Sequence, residues 1–561
     1  MASRRLHLLA GSALLLSTGA HGVVEQLPAP DNDAALSAWE EATGQDAPGL
    51  RVNADGTTEL DWSGVASFDL YARDASGGAL LTPMSSGMFH ALGVQGEWHA
   101  AAEEDRSWAQ IAASASNDRA LLATSTQLNS FQAARATQDF RLAIGDVPVL
   151  HSDLGASAAM RGLSVQRRFD ATTLSFAAGV IAPSWEAISD AALRTEPIRN
   201  AVAFKASHAL SRDSVLFSTV QAFDDSGAPL APTATVLPEA GQSGTIGVVL
   251  RRGRFALQAE AGIGRSDLSD EPAPTGGAML IDGTWSGQRF TLRGGHHDLS
   301  PSFATLSATT ACGVRESYLN TSWVVAPSAT ITLDLRDTLD REPDPTPEEF
   351  ALQSGIPQAR ARAVTLQGAV SPSTWPGVSA NATVSRSRGE SDDGTRNDVD
   401  SASVALTFLR GRWSGAVGYQ ISAASVQSSG TSDSTLQGVH ARAGRSFPNL
   451  LPGAVLNAQL NAQLQRQRFS AGNDSQLATL GVELSAQREG WGELALSAST
   501  ARGHDPQGLP LRQHLVKVDA THPLSTQLSL RAYLSASDNF PDVDAIAYRE
   551  VVAGAQITYR F

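Results

Sequence analysis

The strongest constraint on the fold is a run of strict two-residue alternation towards the C-terminal end. Apolar side chains alternate there with amides, at Leu456, Ala458, Leu460, Ala462 and Leu464 against Asn457, Gln459, Asn461, Gln463 and Gln465. A helix would spread both sets around its circumference, whereas a strand separates them onto two faces. A tilted strand needs about nine to eleven residues to cross a bilayer, and strands of soluble sandwiches usually have about five or six. The run therefore predicts a membrane-crossing strand.

The last strand of the chain shows the same alternation and ends in aromatic residues. Ala553, Ala555, Ile557, Tyr559 and Phe561 fall on one face, and polar residues fall on the other. This strand resembles the C-terminal signal strand of Gram-negative outer-membrane barrels. The resemblance implies that Ile557, Tyr559 and Phe561 form a membrane-assembly signal, with the barrel assembly machinery as a partner. A buried edge strand that closes a soluble sandwich is the alternative interpretation.

The N-terminal residues read as a targeting segment. Arg4 and Arg5 precede a short apolar run, and small residues follow up to Gly22, as in a secretory signal peptide. We therefore expect a signal peptide over residues 1–22. Residues 23–59 are interpreted as a periplasmic leader, in which residues 33–41 have a helical N-cap and good helix formers. A transmembrane barrel is expected over residues 60–561.

Composition excludes several classes of function. The net charge of -15 argues against nucleic acid as a partner. Cys312 is the single cysteine, so an internal disulfide framework and a zinc or iron–sulfur site built on several thiolates are excluded. No motif for catalysis stands out, and neither a metal site nor a cofactor is expected. The adjacent His296 and His297 should point to opposite faces of a strand. The chain is therefore not expected to be an enzyme. An aromatic content of 6% is low for a barrel with aromatic girdles.

Alternating segments recur along the chain and are joined alternately by short and long connections. Short ones include residues 170–171 and 489–490, and long ones include residues 184–197, 224–241 and 337–358. Outer-membrane barrels have short periplasmic turns and long extracellular loops. The pattern predicts an all-β fold: a large antiparallel transmembrane barrel of roughly 26 strands. A second helix is predicted to begin at Thr346, inside the longest of these loops.

Arginine pairs at spacing two are the main candidate site. They lie at predicted strand ends, at Arg360 and Arg362, Arg386 and Arg388, and Arg466 and Arg468. A charge that faces lipid at the bilayer midplane is costly, so these side chains should face the lumen or lie at a rim. Lumen arginines would favour anionic solutes. Rim arginines would contact lipid phosphates.

Two further features are open to more than one interpretation. Acidic residues crowd residues 337–349 and 392–400, where they could bind divalent cations that bridge to lipopolysaccharide, or could simply be solvated. The segment from Gly145 to Gly155 joins two good strands. It could fold into the lumen as a constriction or form an extracellular cap.

A barrel of this size encloses an aqueous channel unless loops plug it. The sequence therefore predicts an outer-membrane channel or export conduit that passes a solute or a polymer such as a polysaccharide. The expected partners are outer-membrane lipid and lipopolysaccharide, with a periplasmic secretion protein as a further candidate. A non-conducting surface barrel with a structural, adhesion or partner-binding role is the alternative.

Overall fold

The chain forms one closed β-barrel. The computed structural model describes residues 60–77, 86–102, 105–182 (without 120, 123 and 156), 184–190, 194, 198–226, 239–268, 275–306, 313–341, 359–391, 394–427, 431–470, 474–505, 508–541 and 548–561. The predicted signal peptide and leader lie outside these residues, as do both predicted helices. None of the described helices is long and apolar enough to cross a membrane.

The barrel contains 26 strands and one short described helix. In chain order they are β1 Leu60–Gly77, β2 Gly87–Ala102, β3 Asp105–Ser116, β4 Thr126–Thr137, β5 Phe140–Leu150, β6 Ser157–Phe169, β7 Thr172–Ile181, α1 Trp185–Ser189, β8 Ile198–Ser211, β9 Ser214–Ser226, β10 Glu239–Arg252, β11 Phe255–Leu268, β12 Gly276–Ser286, β13 Phe290–Leu299, β14 Val314–Ala326, β15 Ala329–Asp340, β16 Ala359–Val370, β17 Val378–Ser391, β18 Arg396–Arg410, β19 Trp413–Gln427, β20 Thr431–Leu451, β21 Ala454–Phe469, β22 Ser475–Arg488, β23 Gly492–His504, β24 Pro510–Pro523, β25 Leu528–Pro541 and β26 Tyr548–Arg560.

Each strand pairs antiparallel with the next, and β1 pairs with β26 to close the sheet. At the closure Ile557 lies opposite Phe68, and Tyr559 lies opposite Ala66. Phe561 extends this pairing, since its N–H donates to Gly64 O at 3.1 Å and its carbonyl accepts from Gly64 N at 2.9 Å. The predicted barrel and its strand number are confirmed. Closure matters because an open edge would leave a row of backbone groups without partners.

The two ends of the barrel differ in the length of their connections. We call the end where β1 begins and β26 ends the turn end; it carries short turns such as residues 170–171, 253–254 and 411–412. The opposite end, the loop end, carries the longer connections, including residues 182–197 and 341–358. The predicted alternation of short and long connections is therefore confirmed.

The outward face is apolar and has its exposed tryptophans at one end. Cross-strand partners share a face, and the outward face of β26 and β1 presents Ile557 and Phe68, both more than 40% exposed. Exposed tryptophans cluster at the turn end, at Trp62, Trp285, Trp323, Trp375, Trp413 and Trp491. A low total aromatic content is thus enough for a girdle of tryptophans at the turn end, because these residues are concentrated at a single level.

Candidate functional site: an inward plug and a neutral wall

Two segments from the loop end fold into the barrel. They are residues 151–155, between β5 and β6, and residues 300–306, between β13 and β14; together we call them the lumen plug. The segments are joined to each other, because Leu306 N donates to Gly155 O at 2.7 Å and Thr305 Oγ1 donates to the same carbonyl at 3.1 Å. Of the two alternatives that the sequence left for residues 145–155, the structure has residues 151–155 inside the barrel. The segment 300–306 was not identified from the sequence.

Apolar side chains anchor the plug to the inner wall. Phe303 and Leu154 are completely buried and pack with Ala278, Leu280 and Leu299 of β12 and β13. A second cluster surrounds Ala304 and Leu306 with inward residues of β5 to β9, namely Val147, Val149, Met160, Ala177, Ala201, Ala203 and Phe223. Burying a large apolar side chain contributes about 1.5 to 3 kcal/mol, so the plug is held as a packed core.

Close backbone contact makes one glycine necessary beneath the plug. A Cβ on Gly276, the first residue of β12, would lie 2.5 Å from the Phe303 backbone N. Ser300 N donates nearby to Gly277 O at 2.9 Å, and Phe303 N donates to Ser300 O at 3.0 Å. The tight turn at Pro301 therefore lies directly on the start of β12, which directs the Phe303 ring into the wall.

Polar side chains add a second set of anchors. Ser152 Oγ donates to the carboxylate of Glu260, a residue only 2% exposed, and Gln258 Nε2 donates to Asp153. Gln221 Nε2 donates to Ala304 O at 3.1 Å and to Ser243 Oγ at 2.7 Å. Since buried polar groups are costly without partners, these bonds favour one position of the plug over alternatives.

A histidine of the plug is buried beside a cation. His151 is 7% exposed, and its Nδ1 has no hydrogen-bond partner among the described residues. Burial, and second the nearby Lys205 ammonium, lower the pKa of His151 to about 4. The docked plug therefore holds this imidazole neutral at physiological pH.

Ion pairs fix the ends of the second plug segment. The Arg199 guanidinium forms two hydrogen bonds to Asp225 at 2.8 and 2.9 Å, donates to Thr305 O at 3.3 Å, and lies 3.8 Å from the centre of the Phe223 ring. Arg341 donates to Asp298 and to Leu299 O, just before the segment begins. Hydrogen bonds from Arg199 and Arg341 thus hold the segment 300–306 near both of its ends.

Another part of the lumen wall is polar and almost uncharged. We call the wall formed by β16 to β21 the neutral arc, and the wall formed by β5 to β13 the plugged arc. In the neutral arc exposed apolar residues such as Val364, Val404 and Leu464 point outward, so the alternate residues point inward. The inward set is mainly Thr365, Gln367, Asn381, Thr383, Ser385, Ser387, Ser401, Ser403, Gln420, Ser422, Asn457, Gln459, Asn461, Gln463 and Gln465.

Few charges interrupt this inner surface. Arg442, opposite Asn461, is the one inward residue with a full charge among the described residues of the neutral arc. Beyond it, on β22 to β24, inward Glu483, Glu493, Lys517 and Asp519 line an open cavity of about 440 Å³ together with Gln459. The lumen wall therefore presents hydrogen-bonding groups in the neutral arc and a plug-covered surface in the plugged arc.

The predicted arginine pairs lie on the outer face, at the rim of the loop end. Arg362 lies opposite both Asp337 and Arg388, in line with outward Val364, and Arg466 shares the face of Leu464. The three pairs bind neighbouring acids: Arg360 and Arg362 with Asp337, Arg386 with Asp400, Arg388 with Asp398, and Arg466 and Arg468 with Asp474. The lumen alternative is wrong for all six. Each of these arginines lies an even number of residues from an apolar outward residue of its own strand, Val364, Val384 or Leu464, so the sequence alternation could have shown this.

These ion pairs also correct the loop boundaries. The sequence placed residues 337–358 in a connection, whereas β15 continues to Asp340 and β18 begins at Arg396, within the acidic stretch 392–400. The strands continue because cross-strand pairs of opposite charge stabilise the pairing at the rim. The other predicted acidic residues, 342–349 and 392–393, lie outside the described part of the chain.

The histidine pair behaves as its spacing predicts. His296 Nδ1 lies 2.8 Å from Ser317 Oγ on the outward face, and His297 Nε2 lies 3.1 Å from Asp282 Oδ2 on the inward face. Within the described residues, no group of three histidine, cysteine or acidic side chains is arranged to hold a metal ion.

No protein-family model matches the chain, and no curated protein matches it in sequence. Its fold is similar to solved β-barrel structures at low identity. The translocation pore of the P pilus usher PapC has a TM-score of 0.37 and 13% identity over 88% of this chain and 99% of that chain. The siderophore receptor PirA from Pseudomonas aeruginosa has a TM-score of 0.38 and 11% identity over 90% and 80%. OpdK from Pseudomonas aeruginosa, solved with vanillate, has a TM-score of 0.29 and 11% identity over 58% and 95%.

Proposed function

We propose that this protein is an outer-membrane channel or export conduit for a hydroxyl-rich solute or polymer, such as a polysaccharide. The observation that carries the proposal is the neutral arc. Its inward Asn, Gln, Ser and Thr side chains both donate and accept hydrogen bonds, as sugar hydroxyls do. A nearly uncharged wall of this kind binds neutral hydroxyls weakly at many positions, which suits passage better than tight binding.

The orientation follows from the two ends of the barrel. We place the turn end in the periplasm and the loop end outside the cell, since barrels of this class have short periplasmic turns and long extracellular loops. The girdle of tryptophans at the turn end then lies at the inner leaflet, and the plug narrows the lumen from its extracellular end. No catalytic role is proposed for any residue.

Single-channel recording in a planar bilayer tests this function. The protein without residues 1–22 should give steady openings, and a neutral oligosaccharide added to one side should reduce the current reversibly. The reduction should depend on sugar length, because a longer chain contacts more of the neutral arc. Barrels that are folded, as judged by heat-modifiable migration on a gel, but electrically silent would contradict the channel. They would instead favour the alternative of a non-conducting surface barrel.

We further infer that the outward arginines of the loop end contact the phosphates of lipopolysaccharide. Most of them are paired with acids, but Arg502 and Arg512 lie directly opposite each other on the outer face and are both exposed. Like charges directly opposite destabilise a strand pair unless an anion lies between them. A phosphate group would supply that anion and could bind both guanidinium groups.

The double variant Arg502→Ala/Arg512→Ala tests the lipid contact. It should co-purify with at least threefold less lipopolysaccharide per barrel, measured as bound phosphate. The matched control is Arg410→Ala/Arg488→Ala, which removes two outward arginines at the turn end and should retain the full amount. Equal loss in both variants, or in neither, would contradict a specific contact at the loop end.

A further inference from the structure

One pair of neighbouring strands in the barrel is only partly hydrogen-bonded. Strands β4 and β5 pair only from Gln132 opposite Gly145 to Ala136 opposite Arg141, so the loop-end half of each strand is separated from the other. Gly145 has a φ of +99°, and a Cβ there would lie 2.1 Å from Phe131 O. This backbone conformation, which favours glycine, directs β5 away from β4. We call the unpaired stretch the split seam.

Side-chain carboxylates replace the missing strand carbonyls along the split seam. Phe131 N donates to Asp146 Oδ2 at 2.8 Å, and Leu128 N donates to Glu186 Oε1 at 2.5 Å. Asp146 belongs to β5, but Glu186 belongs to α1, which comes from the connection between β7 and β8. The helix therefore lies over the gap between β4 and β5, although it connects β7 to β8, three strands further along the sheet.

The helix is held against the outer face. Trp185 Nε1 donates to Asp146 Oδ2 at 3.1 Å, and the Trp185 ring lies edge-on to Phe131 with ring centres 6.5 Å apart. Arg161 forms an ion pair with Asp146 at 3.2 Å and lies 5.7 Å from the Trp185 ring centre. Phe131 is opposite Ile111, an exposed outward residue. The contacts of α1 are thus on the outward side of the wall.

An apolar cavity opens on the outward face beside the helix. It has a volume of about 410 Å³ and is lined by Leu92, Val94, Ala113, Ser114, Ala115, Thr126, Gln127, Leu128 and Glu186. Leu92 and Val94 lie opposite Ala115 and Ala113, which in turn lie opposite Thr126 and Leu128, so these residues form one outward patch across β2, β3 and β4. A cavity of this size is within the range of about 300 to 1,000 Å³ that small-molecule sites occupy.

The carboxylate in this cavity is only half satisfied. Glu186 Oε1 accepts the hydrogen bond from Leu128 N, whereas Glu186 Oε2 is buried and has no hydrogen-bond partner among the described residues. The neighbouring Asp146 differs, because Phe131, Trp185 and Arg161 all contact it. A buried carboxylate oxygen without a donor is costly, and an occupant of the cavity that supplied a donor would remove that cost.

We propose that the cavity at the split seam binds an amphiphile with one apolar chain and a head group that donates hydrogen bonds, either an ammonium or a hydroxyl. The chain would occupy the space between Leu92, Val94 and Leu128, and the head group would donate to Glu186 Oε2. An anionic head group is disfavoured there by repulsion from the same carboxylate. The site requires a lipid-exposed outer face, but it does not require an open lumen.

Binding of three probes with the same chain tests the proposal. Dodecylamine, dodecanol and dodecyl sulfate are added to the full barrel in nanodiscs, and bound ligand is measured by native mass spectrometry. Dodecylamine and dodecanol should bind at least tenfold more tightly than dodecyl sulfate. Glu186→Gln, which keeps a carbonyl acceptor but removes the charge, should weaken dodecylamine about tenfold and change dodecanol little.

A second variant fills the cavity and keeps the test independent of the carboxylate. Ala113→Phe should weaken both dodecylamine and dodecanol at least tenfold, because the new ring occupies the space of the chain. Ala553→Phe is the matched control, since Ala553 is an outward alanine on β26. Unchanged dodecylamine affinity in Glu186→Gln and Ala113→Phe, or equal binding of dodecyl sulfate, would overturn the proposal.

Discussion

The plugged arc and the neutral arc use the same antiparallel pairing but different inward residues. In the plugged arc, β8 is apolar on both faces beside the plug: Ala201 and Ala203 point inward to it, while Val202 and Phe204 are exposed outward. Strands of the neutral arc alternate strictly, as Leu460 and Leu464 do with Asn461 and Gln463. The comparison teaches that an inward face is apolar where a packed element covers it, here the plug.

The inward polar side chains of the two arcs also differ in their hydrogen-bond partners. In the plugged arc, buried Glu260 and Gln221 are bound to Ser152 and Ala304 of the plug. In the neutral arc, an inward amide such as Gln459 is hydrogen-bonded, among the described residues, to the wall residues Asn461 and Glu483. The first arc therefore stabilises a fixed element, and the second leaves its hydrogen-bonding groups available to whatever occupies the lumen.

Removing the aromatic anchor of the plug should have the largest effect. Phe303→Ala leaves a cavity between β12 and β13 and should weaken docking of the plug by about 3 to 5 kcal/mol, since Phe303 is completely buried. Single-channel conductance should rise several-fold. Phe408→Ala is the control, because Phe408 is exposed on the outward face of the neutral arc. A conductance equal to that of the unaltered protein would mean that the plug does not restrict the ion path.

Acid should release the plug through His151. Docking holds the pKa of His151 at about 4, whereas the undocked imidazole titrates near its ordinary value of 6.5. The docked state is therefore at full stability above pH 6.5 and loses stability progressively as the pH falls from 6.5 to 4. Conductance should rise over that interval, as measured by recordings at stepped pH. His151→Gln carries no titrating group and should reduce the rise; an identical pH profile would assign it to the nearby acids instead.

Charge placed on the neutral arc should have a smaller effect, on selectivity. Gln463 points inward from β21, opposite His440. Gln463→Arg should shift ion selectivity a few-fold towards anions, and Gln463→Glu should shift it towards cations, because a fixed charge beside the ion path changes local ion concentrations. Reversal potentials in a salt gradient measure this shift. The same reversal potential for both variants would show that ions do not pass along the neutral arc.

Local sequence determined the architecture. Two-residue alternation in segments such as Leu456 to Gln467 predicts strands with two distinct faces, because side-chain direction in a strand depends only on position. Connections that alternate between short and long are typical of antiparallel barrels, which have an even number of strands. The same rule separated His296 from His297. Arg362 and Arg466 each lie two residues from an outward apolar residue, so the alternation also predicts that both arginines point outward. The spacing within each arginine pair shows only that its two side chains share a face.

Tertiary structure decided what the lumen contains. The turn at Pro301 is consistent with any surface loop, and only the apolar inner wall of β5 to β9 and β12 to β13 makes burial of Phe303 favourable. The split seam is equally non-local, since Glu186 reaches Leu128 from a connection three strands away. Such contacts join residues distant in sequence, and their stability depends on burial and on shared hydrogen bonds, which no local pattern records.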